Sequence, residues 1–261
     1  MTAIYNTIGA GYDRYRSADP GITETLARTL GRPKVGSYLD LACGSGNYTI
    51  ALARKGYTLT GLDISRRMLT AARQKSRAAG WVLGDGERQP FADRVFQGVV
   101  CILAIHHFHD LSVTFKECRR ILCPGAPLVL FTGEAGQMRH YWLNTYFPVA
   151  MTRSMADMPT RALIERSLRD AGFADLSFAN YFVSADLQDH FLYSGKHNPG
   201  FYLNDRARAG ISTFARHGDE AETRQGLARL DTDITTGRFA QVRQTYRSDL
   251  GDYLFVSARR S

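Results

Sequence analysis

Leu39-Asp40-Leu41-Ala42-Cys43-Gly44-Ser45-Gly46-Asn47 is the stretch on which the fold turns. The run 37–41 that leads into it reads as a short buried strand, and 47–54 beyond it as a helix. Between them, two glycines permit a sharp turn and let the backbone come close to a ligand. Asp40 closes the strand, where a carboxylate suits an ammonium group. Strand, glycine loop and helix in this order open a βαβ unit.

The same alternation continues downstream. Residues 58–62 predict a second strand, and Ser65 is an N-cap for a helix running to about residue 78. Strands follow at 81–83, 98–103 and 128–132, with a helix over 112–122 stopped by Pro124-Gly125. A helix at 161–171, a strand at 174–183 and a last strand at 253–258 complete the set. Upstream, 5–16 and 22–30 read as two helices parted by Asp19-Pro20-Gly21. The expected fold is α/β: a doubly wound, mostly parallel, seven-stranded sheet in a single domain over 1–261. Within it, 1–34 is a helical cap, 35–133 the ligand-binding core, and 134–159 and 184–249 are helical insertions covering a substrate. The first insertion is rich in aromatic residues. Tyr141, Trp142 and Tyr146 are candidates to face an apolar substrate, with a satellite core as the competing reading.

Bulk composition agrees with one large globular domain. Of 261 residues, 44% are hydrophobic and 22% charged, enough to build a core and too apolar for a disordered chain. No apolar run approaches the roughly 20 residues of a membrane helix. The first residues lack an apolar signal segment, so the cytoplasm is the expected location. Cys43, Cys101, Cys118 and Cys123 form no C-x-x-C pair and have no nearby histidine at metal spacing, so reduced thiols and no metal are expected. The net charge of +8 is spread among acids rather than gathered in a block. It leaves RNA as a second possible partner behind a small molecule.

Two further acids end strands in the same manner. Gly61-Leu62-Asp63-Ile64 places a carboxylate where it accepts ribose hydroxyls. Gly84-Asp85-Gly86-Glu87 places Asp85 to accept from an adenine amino group, with the Gly86 N–H facing the ring. A dinucleotide loop would carry Gly or Ala at the third glycine position, where this chain has Thr49. Asp40 would also repel a pyrophosphate.

With these residues, and with Met68-Leu69, Pro90-Phe91, His106-His107 and Leu122-Cys123-Pro124-Gly125, the chain resembles the class I S-adenosylmethionine (SAM)-dependent methyltransferases. It is similar in particular to the methyltransferase-11 group related to the ubiquinone/menaquinone C-methyltransferases. The resemblance implies a Rossmann-like fold with SAM as cofactor. Asp40, Ala42, Gly44, Gly46 and Asn47 would line the methionine part, together with Ile102 and Leu103. Asp63 would hold the ribose, Ile64 and Met68 would pack near the adenine, and Asp85 and Gly86 would read its edge. Tyr12 would cover the SAM carboxylate from the helical cap. His106 is the candidate general base and His107 a candidate substrate contact, with loop packing as the alternative for both. Glu134 and His140 are weaker candidates. The expected function is SAM-dependent methyl transfer to a small apolar or aromatic acceptor. An RNA methyltransferase and a non-catalytic SAM-binding protein remain as alternatives, and no feature of the chain sets the acceptor atom or the oligomeric state.

Overall fold

The computed structural model describes residues 16–261. The expected helix over 5–16, and Tyr12 with it, lies outside the described residues but for Arg16.

Seven strands form one sheet: β1 (Ser37–Leu41), β2 (Thr58–Asp63), β3 (Gly80–Leu83), β4 (Phe96–Ile102), β5 (Pro127–Thr132), β6 (Phe173–Tyr181) and β7 (Tyr253–Arg260). Their order is β3-β2-β1-β4-β5-β7-β6. β1 to β5 pair in parallel, and β7 runs antiparallel to both β5 and β6. The chain steps outward from β1 to β3 and then returns to lay β4 on the other side of β1. That reversal opens a crevice above the C-terminal ends of β1 and β4, the usual ligand site of such sheets.

Strand alternation sends apolar side chains to both faces. In β5, Val129 and Phe131 join Ile22 and Leu26 of helix α1 (Pro20–Leu30) and Leu52 of α2 (Asn47–Arg54). Leu128 and Leu130 point the other way, toward Phe115 and Ile121 of α4 (Leu111–Ile121), which follows α3 (Arg66–Lys75). Each such fully buried side chain contributes about 1.5–3 kcal/mol. Local chemistry starts the helices. The Asp19 carboxylate accepts from Ile22 N and Pro20 takes the first turn of α1. Ser65 Oγ accepts from Met68 N at the head of α3, and Asp110 caps α4.

Two helical blocks interrupt the alternation. The first holds α5 (Ala135–Met138), α6 (Leu143–Tyr146) and α7 (Pro148–Ala156), after which α8 (Arg161–Asp170) returns to the sheet beside α4. The second holds α9 (Asp205–Ala209), α10 (Ser212–His217), α11 (Glu220–Thr235) and α12 (Phe239–Thr245), with 3-10 turns at Leu192–Gly195 and Pro199–Leu203. The blocks pack on each other. Glu222 of α11 caps the head of α7 through Val149 N and Ala150 N, and Tyr146 Oη donates to Asp233 at 2.9 Å.

Two boundaries differ from expectation. α3 stops at Lys75 rather than near 78, because Ser76 is extended and its carbonyl accepts from the Trp81 indole at 3.0 Å. β6 stops at Tyr181 rather than 183, because Val183 N donates to the Asp252 carboxylate instead of the ladder. Among the described residues, no helix is long and apolar enough to cross a membrane.

Candidate functional site

A cavity of about 460 Å³ sits in the crevice above β1, β2 and β4. Its wall is assembled from the turns that leave the strands. Ala42 and Gly44 come from the β1 loop, and Asp63, Ile64 and Met68 from the end of β2 and the start of α3. Asp85 and Gly86 follow β3, and Ile102 and Leu103 close β4. The structure thus brings nine of the expected cofactor residues onto one surface.

The geometry explains why these residue types stand there. Gly44 has φ +55°, and a Cβ on it would meet nothing within 4 Å, so the backbone itself faces the open cavity. Ala42 and Leu103, each one residue past its strand, also take positive φ, 56° and 53°. Left-handed backbone at a residue with a side chain is strained, and here it flanks the crevice on both sides. The Asp63 carboxylate accepts from Gly44 N at 2.8 Å and from Ser65 N at 2.7 Å. These bonds fix its plane, and each oxygen keeps a lone pair for a ligand hydroxyl. Burial raises its pKa, while the two backbone donors pull it down. Glu87 Oε1 accepts from His109 N and Asp110 N, tying the β3 turn to the loop after β4.

Three expected cofactor residues do not reach the wall. Asp40 is buried beneath the loop, with Thr49 Oγ1 donating to it at 2.5 Å. Burial pushes its carboxyl up to about 7, against the Thr49 bond that lowers it. Gly46 serves packing: φ is +79°, and a Cβ there would lie 2.3 Å from the Trp81 ring. Asn47 donates from Nδ2 to Arg16 O at 2.9 Å and accepts from Lys75 Nζ, so it ties down the chain before α1.

A second, smaller cavity of about 90 Å³ adjoins the first beneath the helical blocks. Arg16, Leu103, His106, Asp157 and Arg216 belong to both walls. Their positions are well supported. Arg16 makes a two-pronged bond to the buried Asp189, and Arg216 and His217 both reach Asp157. His106 and His107 lie in the 3-10 turn Ile105–His107 with ring centroids 4.0 Å apart. His106 Nδ1 is shut from water and has no hydrogen-bond partner. Such an orphan costs about 1–3 kcal/mol. Burial first, then the neighbouring His107 and Arg216, holds the His106 pKa well below 6.5, so its imidazole is neutral. His107 is lowered to about 4, again chiefly by burial, and lines only the larger cavity.

The expected substrate residues Tyr141, Trp142 and Tyr146 are at most 2% exposed and line neither cavity. Here the expectation is corrected: the aromatic run forms core. Trp142 packs edge-on against Tyr202 and Phe239, and the Tyr141 and Tyr202 hydroxyls bond each other at 2.6 Å. Glu134 pairs with Arg161 at 3.6 Å, and His140 faces solvent. Conversely, Arg16, Asp157, Tyr193 and Arg216 line cavities without any warning in the local pattern. They come from segments that only the fold brings to the strand ends. Phe108 had a signal, being next to the His pair; it packs 2.6 Å from where a Gly86 Cβ would stand.

Residues 39–130 match the family model described as a methyltransferase domain. The demethylmenaquinone methyltransferase of Corynebacterium glutamicum (strain R) is 37% identical over 204 residues, 69% of this chain and 88% of that protein. The biotin biosynthesis bifunctional protein BioHC of Cellvibrio japonicus is 28% identical over 86% of this chain, which spans only 45% of its length. A crystal structure of a putative methyltransferase from an antibiotic biosynthesis pathway of Anabaena variabilis superposes with a TM-score of 0.79. It is 27% identical, covering 94% of this chain and 98% of the other. The cavity fits the cofactor of that family: an open backbone at Gly44, a fixed carboxylate at Asp63 and an apolar wall at Ile64 and Met68. The chain belongs to the class I SAM-dependent methyltransferases.

Proposed function

We propose that the protein transfers a methyl group from SAM to a small, largely apolar acceptor held in the inner cavity, with His106 as general base. One observation carries the reading: His106 stands in the wall shared by the two cavities, where the larger site meets the inner one. SAM, when bound, supplies an electrophilic methyl carbon for in-line attack. The chain's own residues do the rest. Asp63 and the Gly44 backbone hold the larger ligand, with Asp85 and Gly86 at its far end. Ile102 and Leu103 border its reacting part, and the helical blocks keep water from the junction. Holding two reactants in this way supplies roughly 7–11 kcal/mol of such a barrier. A neutral imidazole takes the acceptor's proton as the new bond forms. The name of one relative, a demethylmenaquinone methyltransferase, supports a small acceptor, and that of another, a malonyl-[acyl-carrier protein] O-methyltransferase, names oxygen as the atom methylated.

The test uses SAM with a labelled methyl group, the full chain and a heat-treated cell extract separated into small molecules, RNA and protein. Label in the small-molecule fraction, lost in Asp63→Ala, is expected. Label only in RNA, or no transfer despite SAM binding, defeats the reading.

A further inference from the structure

A third concavity, an open groove of about 620 Å³, runs along the C-terminal half of α3 and shares no residue with the two cavities above. Its charge is one-sided. Residues 64–84, which carry α3 and β3, hold Arg66, Arg67, Arg73, Lys75 and Arg77 and no acid, in a chain whose net charge is +8. Arg73, Lys75 and Arg77 line the groove, and all three are exposed. Arg73 gives one N–H to Trp81 O at 3.1 Å, which holds its guanidinium at the edge strand β3. Arg77 makes no hydrogen bond or ion pair among the described residues, and neither arginine meets a carboxylate there. Cations in the last turn of α3 answer the helix dipole, but Arg77 lies beyond the helix. Lys75 connects the groove to the cofactor loop. Its ammonium donates to Ser45 Oγ at 2.9 Å and to Asn47 Oδ1 at 2.7 Å, on either side of Gly46. The ring of Trp81, another groove residue, lies against Gly46 itself.

We propose that this groove binds a short chain of phosphates, free or carried by a small molecule, and that its occupation weakens the hold on SAM. Guanidinium forks match phosphate oxygens two at a time, and an ammonium adds a point charge. The helical wall from Thr70 to Lys75 is about 8 Å long by the helix rise, which suits a few linked phosphates better than a nucleic-acid backbone. Trp81 is the one apolar side chain of the lining, and it is half-buried, so the groove offers a membrane nothing to insert. An anion seated between Arg73 and Arg77 draws the Lys75 ammonium away from Ser45 and Asn47. The loop then loses its tie on both sides of Gly46, and the cofactor site loosens. By linkage, SAM weakens the anion by the same factor. The site stands apart from the methyl-transfer reading and holds whatever the acceptor.

Calorimetry on the full chain tests it with inorganic tripolyphosphate and magnesium-free ATP, at an ionic strength held at about 0.15 M. Saturable one-to-one binding of tripolyphosphate is expected. ATP separates a free chain from one borne by a nucleoside by which probe binds more tightly, and either order supports the site. The double variant Arg73→Gln, Arg77→Gln should melt as the wild type, bind S-adenosylhomocysteine as well, and hold tripolyphosphate at least about tenfold more weakly. Saturating tripolyphosphate should weaken S-adenosylhomocysteine about fivefold or more in the wild type and leave the double variant unmoved. Lys75→Met should abolish the coupling, because the tie is already gone. If tripolyphosphate does not bind, if the double variant binds it equally, or if S-adenosylhomocysteine affinity does not fall, the inference is overturned. Binding of bulk tRNA or of phosphatidylglycerol vesicles without binding of tripolyphosphate overturns it as well, and gives the groove to a different partner.

Discussion

His106 has a buried nitrogen without a hydrogen-bond partner, and Asp40 is a carboxyl buried beneath the loop; both have consequences that a pH titration reads. For His106, burial keeps the imidazole neutral well below pH 6.5, so kcat should be level from pH 6.5 to 8 and fall only at more acid pH. His106→Gln should lower kcat by roughly 10²–10⁴ while leaving SAM affinity unchanged, as stopped assays and calorimetry would show. Unchanged kcat would remove the base. Asp40 acts on stability. Its folded pKa of about 7 lies above the unfolded 3.8, so its contribution is full below pH 3.8 and lost as pH rises through about 7. Between pH 5 and 8 the wild type should lose about 3 kcal/mol from this group alone. Asp40→Asn should lack that slope, since an amide still accepts from Thr49. Urea melts of both chains at the two pH values check it. His107 slopes the other way. Its folded pKa of about 4 lies below 6.5, so stability is lost as pH falls from 6.5 toward 4.

At the scale of elements, the loop from β1 to α2 divides its glycines between two tasks. Gly44 opens on the cavity, whereas Gly46 lies against Trp81. Gly44→Ala should cost about 1–2 kcal/mol of backbone strain and weaken SAM binding, because its Cβ stands in the ligand's place. Gly46→Ala adds a clash to the same strain and should cost about 2–4 kcal/mol, with SAM affinity in the surviving fold less affected. Thermal melts and SAM titrations of the two variants separate these effects, and identical profiles would refute the division. The sequence could not make this distinction. It showed that two glycines follow a strand, but Trp81, which sets the role of Gly46, lies beyond α3. The same limit separates the residues read well from those read badly. Asp63, Asp85 and Ile102 were legible as cavity-lining residues because parallel strands all end at one edge, so residues at or just past each strand's end border the crevice. Tyr141, Trp142 and Tyr146 were misread because an aromatic cluster looks alike whether it covers a ligand or fills a core. Arg16, Tyr193 and Arg216 were invisible because no local period marks a residue that the fold brings to the strand ends from the segment before α1 or from an insertion.

Across the whole molecule, a buried knot helps to join the second helical block to the ligand-binding sheet. Asp189, 1% exposed and just ahead of that block's first 3-10 turn, accepts from Arg16 Nε at 2.5 Å, Arg16 Nη2 at 3.0 Å and Tyr48 Oη at 3.0 Å. Asp19 adds a second tie by accepting from Gln188 N. The knot therefore links the cover, the start of α1 and the helix that follows the glycine loop. Removing one partner of a buried ion pair leaves the other charge uncompensated, at a cost of about 3–5 kcal/mol. Asp189→Asn keeps the size and removes the charge, so its effect should fall first on the cover. Hydrogen exchange should show faster opening over 184–249 while 37–132 stays protected, because the sheet has its own two apolar faces. Arg16 lines both cavities, so a loosened knot should also raise the KM for the acceptor more than it lowers kcat. Uniform loss of protection across both regions would mean that cover and sheet open as one unit, and that the knot is only one contact among many in a single cooperative core.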